Sequence, residues 1–201
     1  MKGVTALVLV GGGSTRLGRN KALEAVGGRT LLQRVLDAVQ PLADEILIVA
    51  AQGQDTSWLP SGGSVRHIVD AFPSGGPLVG VCSGLLAARS PYCIALACDM
   101  PFLSAGLLAH MAEVAPGYDA VVPRPGGRVQ ALHAVYARTC AGLMRSALAQ
   151  GRRALYEVIG DLKVRWLEAS EMERHDPAML SCFSVNTQAD LERARALADR
   201  G

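Results

Sequence analysis

The chain has 201 residues, which is enough for one domain with a sizeable hydrophobic core. Half of its residues are hydrophobic and 4% are aromatic, so we expect a globular cytoplasmic protein with a core of mainly Ala, Val and Leu. The formal net charge of +2 is too small to indicate nucleic-acid binding. The sequence contains no run of about 18 apolar residues, so we do not expect a membrane span.

Short apolar segments alternate with segments of helical period along the chain. In chain order, strands are predicted at residues 5–10, 45–50, 65–69, 94–98, 120–123, 132–137 and 164–168. Helices are predicted from residue 31 to just before Pro41, from Pro77 onward, at 104–114, at 139–150 and after Thr187. Thr187 and Asp190 have the spacing of a capping box, which supports the start of the last helix.

This alternation predicts a three-layer α/β/α fold with a mostly parallel sheet and helices on both faces. Ligands in such folds bind beyond the carboxyl ends of the strands. The rule selects three loops, at residues 11–21, 70–76 and 99–102.

The cysteines are odd in number and scattered, and no C-x-x-C pair occurs. This pattern predicts buried thiols in a reducing cytoplasm rather than disulfides or a metal site. The five residues are Cys82, Cys93, Cys98, Cys140 and Cys182.

The segment LVLVGGGSTRLGRNKAL, residues 7–23, runs from an apolar strand into glycines and then basic residues. It departs from the dinucleotide fingerprint G-x-G-x-x-G because Arg16 takes the third glycine position counted from Gly11, which disfavours an oxidoreductase. It also departs from the P-loop, because Lys21 comes two places late. Glycines let backbone N–H groups approach an anion. We interpret the segment as a phosphate-binding loop, with a glycine turn beside solvated basic residues as the alternative.

Two carboxylates follow predicted strands. Asp99 lies in IALACDMPFL, where Pro101 prevents simple continuation of the strand. A carboxylate there suits Mg²⁺, which takes one or two carboxylates together with phosphate oxygens and waters. Asp70 precedes a Gly-Gly-Pro turn. The alternatives are a capping role for Asp99 and an Asx turn for Asp70. Taken together with the basic glycine-rich loop at the same sheet edge, the two carboxylates predict Mg²⁺-assisted nucleotide chemistry.

Five segments of the chain resemble the molybdenum cofactor guanylyltransferases, within the Rossmann-like nucleotidyltransferases. They are LVGGGSTRLGRNKAL, GGPLVGVCSGLLAA, CDMPFL, VQALHAVYAR and SVNTQADLERA, and they extend over nearly the whole chain. The first and third are similar to segments of many nucleotidyltransferases, whereas the other three point to the molybdopterin branch.

The resemblance implies a single nucleotidyltransferase domain over residues 1–201, with Mg²⁺ as cofactor. It implies transfer of GMP from GTP to the phosphate of molybdopterin or the molybdenum cofactor, and molybdoenzymes or cofactor carriers are candidate protein partners. By resemblance, the nucleotide is bound by Leu9, Gly11, Gly12, Gly13, Lys21, Asp70 and Asp99. The implied catalytic residues are Arg16, Lys21 and Asp99, with Asp99 as the metal ligand, and the implied pterin-side residues are Gln130, His133, Tyr136 and Asn186.

The chain departs from the family pattern at positions that bear on substrate choice. Asn20 stands where the family usually has Asp, and the segment AAQGQ stands where Asn-Arg is often found after the second strand. Three alternatives therefore stay open: a cytidylyl transferase acting on molybdopterin, a transferase acting on another phosphorylated metabolite, and a degenerate nucleotide-binding carrier.

Overall fold

The computed structural model describes residues 3–11, 20–72 and 75–199. The strands are β1 (Val4–Leu9), β2 (Ala25–Val26), β3 (Arg29–Thr30), β4 (Glu45–Ala50), β5 (Val65–Val69), β6 (Tyr92–Ala97), β7 (Ala120–Pro123), β8 (His133–Ala137) and β9 (Val164–Leu167). The α-helices are α1 (Leu31–Val39), α2 (Pro77–Ala87), α3 (Ala105–Glu113), α4 (Cys140–Ala149), α5 (Leu155–Ile159), α6 (Ala169–Met172) and α7 (Gln188–Ala198).

Seven strands form one sheet in the order β5-β4-β1-β6-β8-β7-β9, and β2 pairs with β3 in a separate hairpin. Strand β8 is antiparallel to both of its neighbours, and the other six strands run in one direction. The predicted mostly parallel sheet is therefore confirmed. The seven predicted strands agree with the observed ones to within two residues, whereas the β2–β3 hairpin and the short helices α5 and α6 were not predicted.

Side chains of alternate residues in β1 point to opposite faces of the sheet. Leu7 and Leu9 pack with α2, α4 and α5, whereas Ala6 and Val8 pack with α1 and α3. Both faces of the sheet are covered, which confirms the predicted three layers and explains why the central strands are mostly apolar, with Thr5 of β1 and Glu45 of β4 as buried polar exceptions.

Local sequence signals set the helix ends. Thr30 and Thr187 each form a capping box, the latter with Asp190 as predicted, and the Ser104 hydroxyl accepts a hydrogen bond from the N–H of Leu107. Among the described residues, no helix is both long and apolar enough to cross a membrane.

Small residues allow α2 to lie close against β1. A Cβ atom at Gly80 would stand 2.8 Å from Leu9 Cδ2, and one at Gly84 would stand 2.7 Å from Leu7 Cδ1. The GGPLVGVCSGLLAA segment therefore packs as its composition predicts. Since α2 begins at the carboxyl edge of the sheet, this contact also sets the position of its N-terminus.

All five cysteines are free thiols, and four of them are buried. Burial raises the pKa of the Cys93 and Cys98 thiols to about 12. These two residues are therefore protonated packing residues at neutral pH, as the sequence predicts.

Candidate active site

The carboxyl ends of four neighbouring parallel strands meet at one edge of the sheet. The register pairs Leu9 of β1 with Val49 of β4 and with Ala97 of β6. Beyond the strands, Cys98 N–H donates to the Leu9 carbonyl at 3.1 Å, and Asp70 N–H donates to the Ala50 carbonyl at 2.9 Å. The described parts of the three predicted ligand loops therefore lie at the same edge.

Lys21 and Asp99 form an ion pair, although they are far apart in the sequence. The distance from Lys21 Nζ to Asp99 Oδ2 is 2.5 Å, and the exposed fractions of the two side chains are 22% and 9%. Lys21 begins a short 3₁₀ turn, Lys21–Leu23, which is capped by the Asn20 side chain through the N–H of Ala22 at 3.2 Å. Asn20, where the family usually has Asp, thus has a local structural role next to Lys21.

The other carboxylate oxygen of Asp99 has no partner among the described residues. Asp99 Oδ1 is buried, and an unpaired buried carboxylate oxygen is costly unless a ligand satisfies it. Among those same residues, no group of three His, Cys, Asp or Glu side chains could hold a metal ion. One carboxylate with a vacant oxygen fits Mg²⁺, which takes most of its ligands from phosphates and water.

Backbone contacts hold the Asp99 loop in place. Val185 N–H donates to the Asp99 carbonyl at 2.9 Å, and Ser104 N–H donates to Ser181 Oγ at 2.8 Å. On the other side of the loop, Arg34 Nε donates to the Pro101 carbonyl at 2.8 Å. The loop is therefore hydrogen-bonded both to the irregular segment 176–186 and to helix α1.

Asp70 is a second buried carboxylate at this edge. Its Oδ1 has no partner within the described ranges, and burial raises the pKa of Asp70 to about 6. The Asp70 carbonyl accepts a hydrogen bond from Gln52 Nε2 at 3.0 Å, and Ala71 N–H donates to Ser83 Oγ at 2.9 Å. The backbone around Asp70 is satisfied while its carboxylate is not, which is typical of a ligand-binding group.

We expect Asp70→Asn to stabilise the free protein at neutral pH. The folded protein holds the Asp70 proton more tightly than the unfolded chain, whose pKa is near 3.8, so stability falls as pH rises from about 4 to about 6. The amide removes this cost, and thermal unfolding at pH 7.5 should show a gain on the order of 1–3 kcal/mol that vanishes below pH 4.

Asp37→Asn serves as the matched control, because the Asp37 side chain is 45% exposed and pairs with Arg29 at the surface. We expect its effect on the free energy of unfolding to stay within about 0.5 kcal/mol. An Asp70→Asn variant that is less stable than the parent at pH 7.5 would contradict the conclusion that the Asp70 carboxylate is buried without a partner.

Gly11 is required by packing between the ends of β1 and β4. A Cβ atom at this position would stand 2.7 Å from the amide nitrogen of Ala51. Gln54 joins the same two strand ends, since its Nε2 donates to the Val10 carbonyl at 3.2 Å and its Oε1 accepts from Ala51 N–H at 3.1 Å. Gly11 therefore lies where predicted, whereas Gly12, Gly13 and Arg16 fall outside the described residues.

The four predicted pterin-side residues divide into two groups. Asn186 is exposed and follows Val185, whose N–H contacts the Asp99 carbonyl, and Gln130 is half-buried just before β8. Tyr136 is fully buried, and its hydroxyl donates to the Ala131 carbonyl at 2.9 Å. His133 is fully buried as well. The structure thus places Tyr136 and His133 in the core, where neither side chain lines the surface.

The buried imidazole of His133 belongs to a small polar cluster. Its Nδ1 lies 3.5 Å from Cys182 Sγ, and its Nε2 has no partner among the residues that the structure describes. Burial lowers the pKa of His133 to about 4, although the Asp176 carboxylate opposes the shift. The ring is therefore neutral at physiological pH.

Sequence reasoning missed several residues that shape the site. Arg34, Gln54 and Ser181 bond to backbone groups in or next to the ligand loops, and Arg34 and Ser181 do so across more than 60 positions. Gln54 had a weak signal, because a polar Gln-Gly-Gln follows an apolar strand directly. No comparable sequence signal exists for Arg34, since a basic residue on a predicted amphipathic helix is ordinarily a surface residue.

Comparisons with known proteins identify the family of this chain. The model of the MobA-like NTP transferase domain matches residues 6–166. The molybdenum cofactor guanylyltransferase of Desulfosudis oleivorans is 34% identical to this chain, and the match covers 100% of this chain and 98% of that protein. The probable molybdenum cofactor guanylyltransferase of Pelotomaculum thermopropionicum is 32% identical over 97% of this chain and 93% of its own length.

Solved structures share the fold over the same length. Molybdopterin-guanine dinucleotide biosynthesis protein A from Archaeoglobus fulgidus is similar with a TM-score of 0.85 and 28% identity, covering 100% of both chains. The 2-C-methyl-D-erythritol 4-phosphate cytidylyltransferase from Thermus thermophilus has a TM-score of 0.72 and 23% identity, covering 99% of this chain and 100% of its own, and it supports the fold alone. The family predicted from the sequence is thus confirmed: the chain belongs to the MobA-like NTP transferases, among the molybdenum cofactor guanylyltransferases, and it is a nucleotidyltransferase.

Proposed function

We propose that this enzyme transfers GMP from GTP to the terminal phosphate of molybdopterin or its metal-loaded form. The Lys21–Asp99 pair at the carboxyl edge of the sheet, with Asp99 Oδ1 buried and unpartnered, is the observation that carries the proposal. An ammonium group beside a carboxylate whose second oxygen is unpaired supports the proposal, because Mg²⁺ takes one or two carboxylates together with phosphate oxygens and waters. The names of the relatives support the choice of guanine and of the molybdenum cofactor.

The chemistry needs little from the protein beyond positioning and charge. An oxygen of the acceptor phosphate bonds to the α-phosphorus of GTP, the bond from that phosphorus to the β-phosphate oxygen breaks, and pyrophosphate leaves. Because the acceptor oxygen is already anionic, no general base is required. Asp99 would hold Mg²⁺, which when bound neutralises charge on the phosphate oxygens. Lys21 and Arg16 are proposed to contact those oxygens.

The nucleotide is proposed to lie over β1, β4 and β5. The backbone of Leu9 and of the glycines at 11–13 would approach its phosphates and base, and the unpartnered Asp70 Oδ1 would accept hydrogen bonds from the base or ribose. An oxygen that can only accept suits guanine, which presents donors at N1 and N2. Backbone groups engage both amide atoms of Gln54 but only Nε2 of Gln52, so Gln52 is proposed as the side chain of the AAQGQ segment that contacts the base.

The acceptor is proposed to lie over β6 and β8. Gln130 and Asn186 would contact it at the surface, whereas the buried side chains of His133 and Tyr136 would support the strand beneath. We propose that residues 1–201 act as one domain in the cytoplasm, where reducing conditions keep the thiols free. Molybdoenzymes or cofactor carriers are proposed as partners that receive the product.

We expect GTP to be preferred over CTP and ATP by roughly tenfold or more. A site that hydrogen-bonds one base leaves buried polar groups unpaired when another base enters, and such losses can reach 10² or more in discrimination. Because the Asn-Arg of the family is replaced by AAQGQ, we expect a preference at the lower end of that range. Competition of the three nucleotides in one Mg²⁺-dependent reaction with molybdopterin measures this directly.

The same assay separates the alternatives. A higher kcat/KM with CTP would reject the guanylyl assignment in favour of the cytidylyl reaction. Turnover only with another phosphorylated acceptor would reject molybdopterin as the substrate. Tight nucleotide binding without pyrophosphate release would indicate a carrier.

A further inference from the structure

Arg34 connects three separate parts of the molecule through one guanidinium group. From helix α1, its Nε donates to the Pro101 carbonyl at 2.8 Å, and its Nη1 donates to the Val26 carbonyl at 3.2 Å. The guanidinium carbon lies 5.4 Å from the centre of the Phe102 ring, in cation–π range. The side chain is only partly exposed, so these contacts are made at the edge of the core.

The two carbonyl groups that Arg34 binds belong to the segments that present the catalytic pair. Pro101 is two residues beyond Asp99, and Val26 is five residues beyond Lys21. The Lys21–Asp99 contact joins the two side chains, whereas Arg34 contacts backbone carbonyls of the same two segments. The guanidinium therefore connects the two segments at a second point, separate from the ion pair.

Hydrophobic packing and polar contacts both hold the Asp99 loop on this side, where Phe102 packs against a buried cluster that includes Val26 and Leu31. A cavity of about 380 Å³ lies between the β2–β3 turn, α1 and residues 101–103, with Arg34 in its wall. Beyond the loop, the Phe102 and Phe183 rings are 5.8 Å apart, which links the loop to the segment that leads into α7. Packing of Phe102 leaves the direction of the loop backbone open, and the Arg34 hydrogen bonds to the Pro101 and Val26 carbonyls add a directional contact between the loop and the β2–β3 hairpin.

We propose that Arg34 is a positioning residue that holds the metal-binding carboxylate of Asp99 and the ammonium group of Lys21 at their working separation. The inference rests on the proposed function of these two residues. A planar guanidinium can donate two hydrogen bonds in fixed directions while its face covers an aromatic ring, whereas a lysine ammonium at this position cannot do all three. Displacements of about 1 Å at a reacting centre can cost 10²-fold in rate, so an indirect contact of this kind has a measurable effect.

Arg34→Lys tests the proposal because it keeps the positive charge but removes the planar guanidinium with its two fixed donor directions. We expect at least a fivefold rise in the Mg²⁺ concentration that gives half-maximal rate. Mn²⁺ affinity in the presence of GTP, measured by electron paramagnetic resonance without turnover, should fall by a similar factor. Arg34→Gln, which keeps donor capacity but loses the charge and the planar guanidinium, should shift metal affinity in the same direction.

Arg29→Lys is the matched control, since Arg29 borders the same cavity but its side chain is 61% exposed and pairs with Asp37 at the surface. It should leave metal affinity unchanged. A lower melting temperature for both Arg34 variants with unaltered Mn²⁺ affinity would overturn the proposal. Failure of both variants to fold would overturn it too, because either result would mean that Arg34 serves stability alone.

Failure of the proposed function would look different. The parent protein would then bind no Mn²⁺ with GTP, or Asp99→Ala would bind it as tightly as the parent. Either result would remove the metal role of Asp99, and the positioning role of Arg34 with it, whatever the Arg34 variants show.

Discussion

Asp99→Ala is expected to abolish nucleotidyl transfer while the fold stays intact. Asp99 lies just beyond the end of β6, and its unpartnered Oδ1 is the proposed ligand of the metal ion. Without it, the phosphate charge of the nucleotide loses its proposed counter-ion, and Lys21 loses the partner that orients it. Removing one fixed stabilising group typically costs about 10²–10³ in rate, and losing the metal together with the orienting contact should exceed this range. Pyrophosphate release under saturating GTP and acceptor measures the effect.

The stability of the Asp99 variants separates catalysis from folding. Removing a buried carboxylate with an unsatisfied oxygen relieves a cost, and the Lys21 side chain is 22% exposed and so can reach water. We therefore expect Asp99→Asn to keep the parent melting temperature, within a few degrees, and to lose the Mg²⁺ dependence of nucleotide binding. Near-normal turnover by a folded Asp99→Ala protein would contradict the metal role.

Lys21→Ala is expected to slow transfer by at least a hundredfold. An ammonium group at this edge of the sheet would neutralise charge on the triphosphate as pyrophosphate leaves, and such fixed charges contribute roughly 3–4 kcal/mol to the transition state. The loss should appear mainly in kcat, because the proposed contact strengthens as charge develops on the leaving group. Single-turnover assays at saturating GTP separate this effect from weaker binding.

Two other substitutions control for a general effect of positive charge. Lys163→Ala removes a lysine that precedes β9, at the opposite edge of the sheet, where its ammonium lies 5.2 Å from the centre of the Tyr118 ring. Arg19→Ala removes another basic residue of the glycine-rich segment, two positions before Lys21. We expect effects of less than about tenfold from each. Equal losses from Lys21→Ala and Arg19→Ala would indicate a diffuse basic rim in place of a specific phosphate contact.

The sequence by itself determined the strands, the longer helices and the edge at which the site forms. Central parallel strands are buried on both faces, so β1, β4 and β6 are mostly apolar segments, and the residues that follow them must emerge at one edge. Asp70 and Asp99 were found for that reason. Capping signals at Thr30, Ser104 and Thr187 are local and act within four residues, so they too can be recognised in the sequence.

Only the tertiary structure decided which distant groups meet. Lys21 and Asp99 are 78 positions apart, and Arg34 and Pro101 are 67 apart, so no local pattern records either contact. The reversed direction of β8 depends on how the chain crosses the sheet, which apolar alternation leaves open. Tyr136 is another residue whose role the sequence leaves open. A tyrosine in a strand looks the same in the sequence whether its hydroxyl meets a ligand or the Ala131 carbonyl, because only packing decides which way the strand places it.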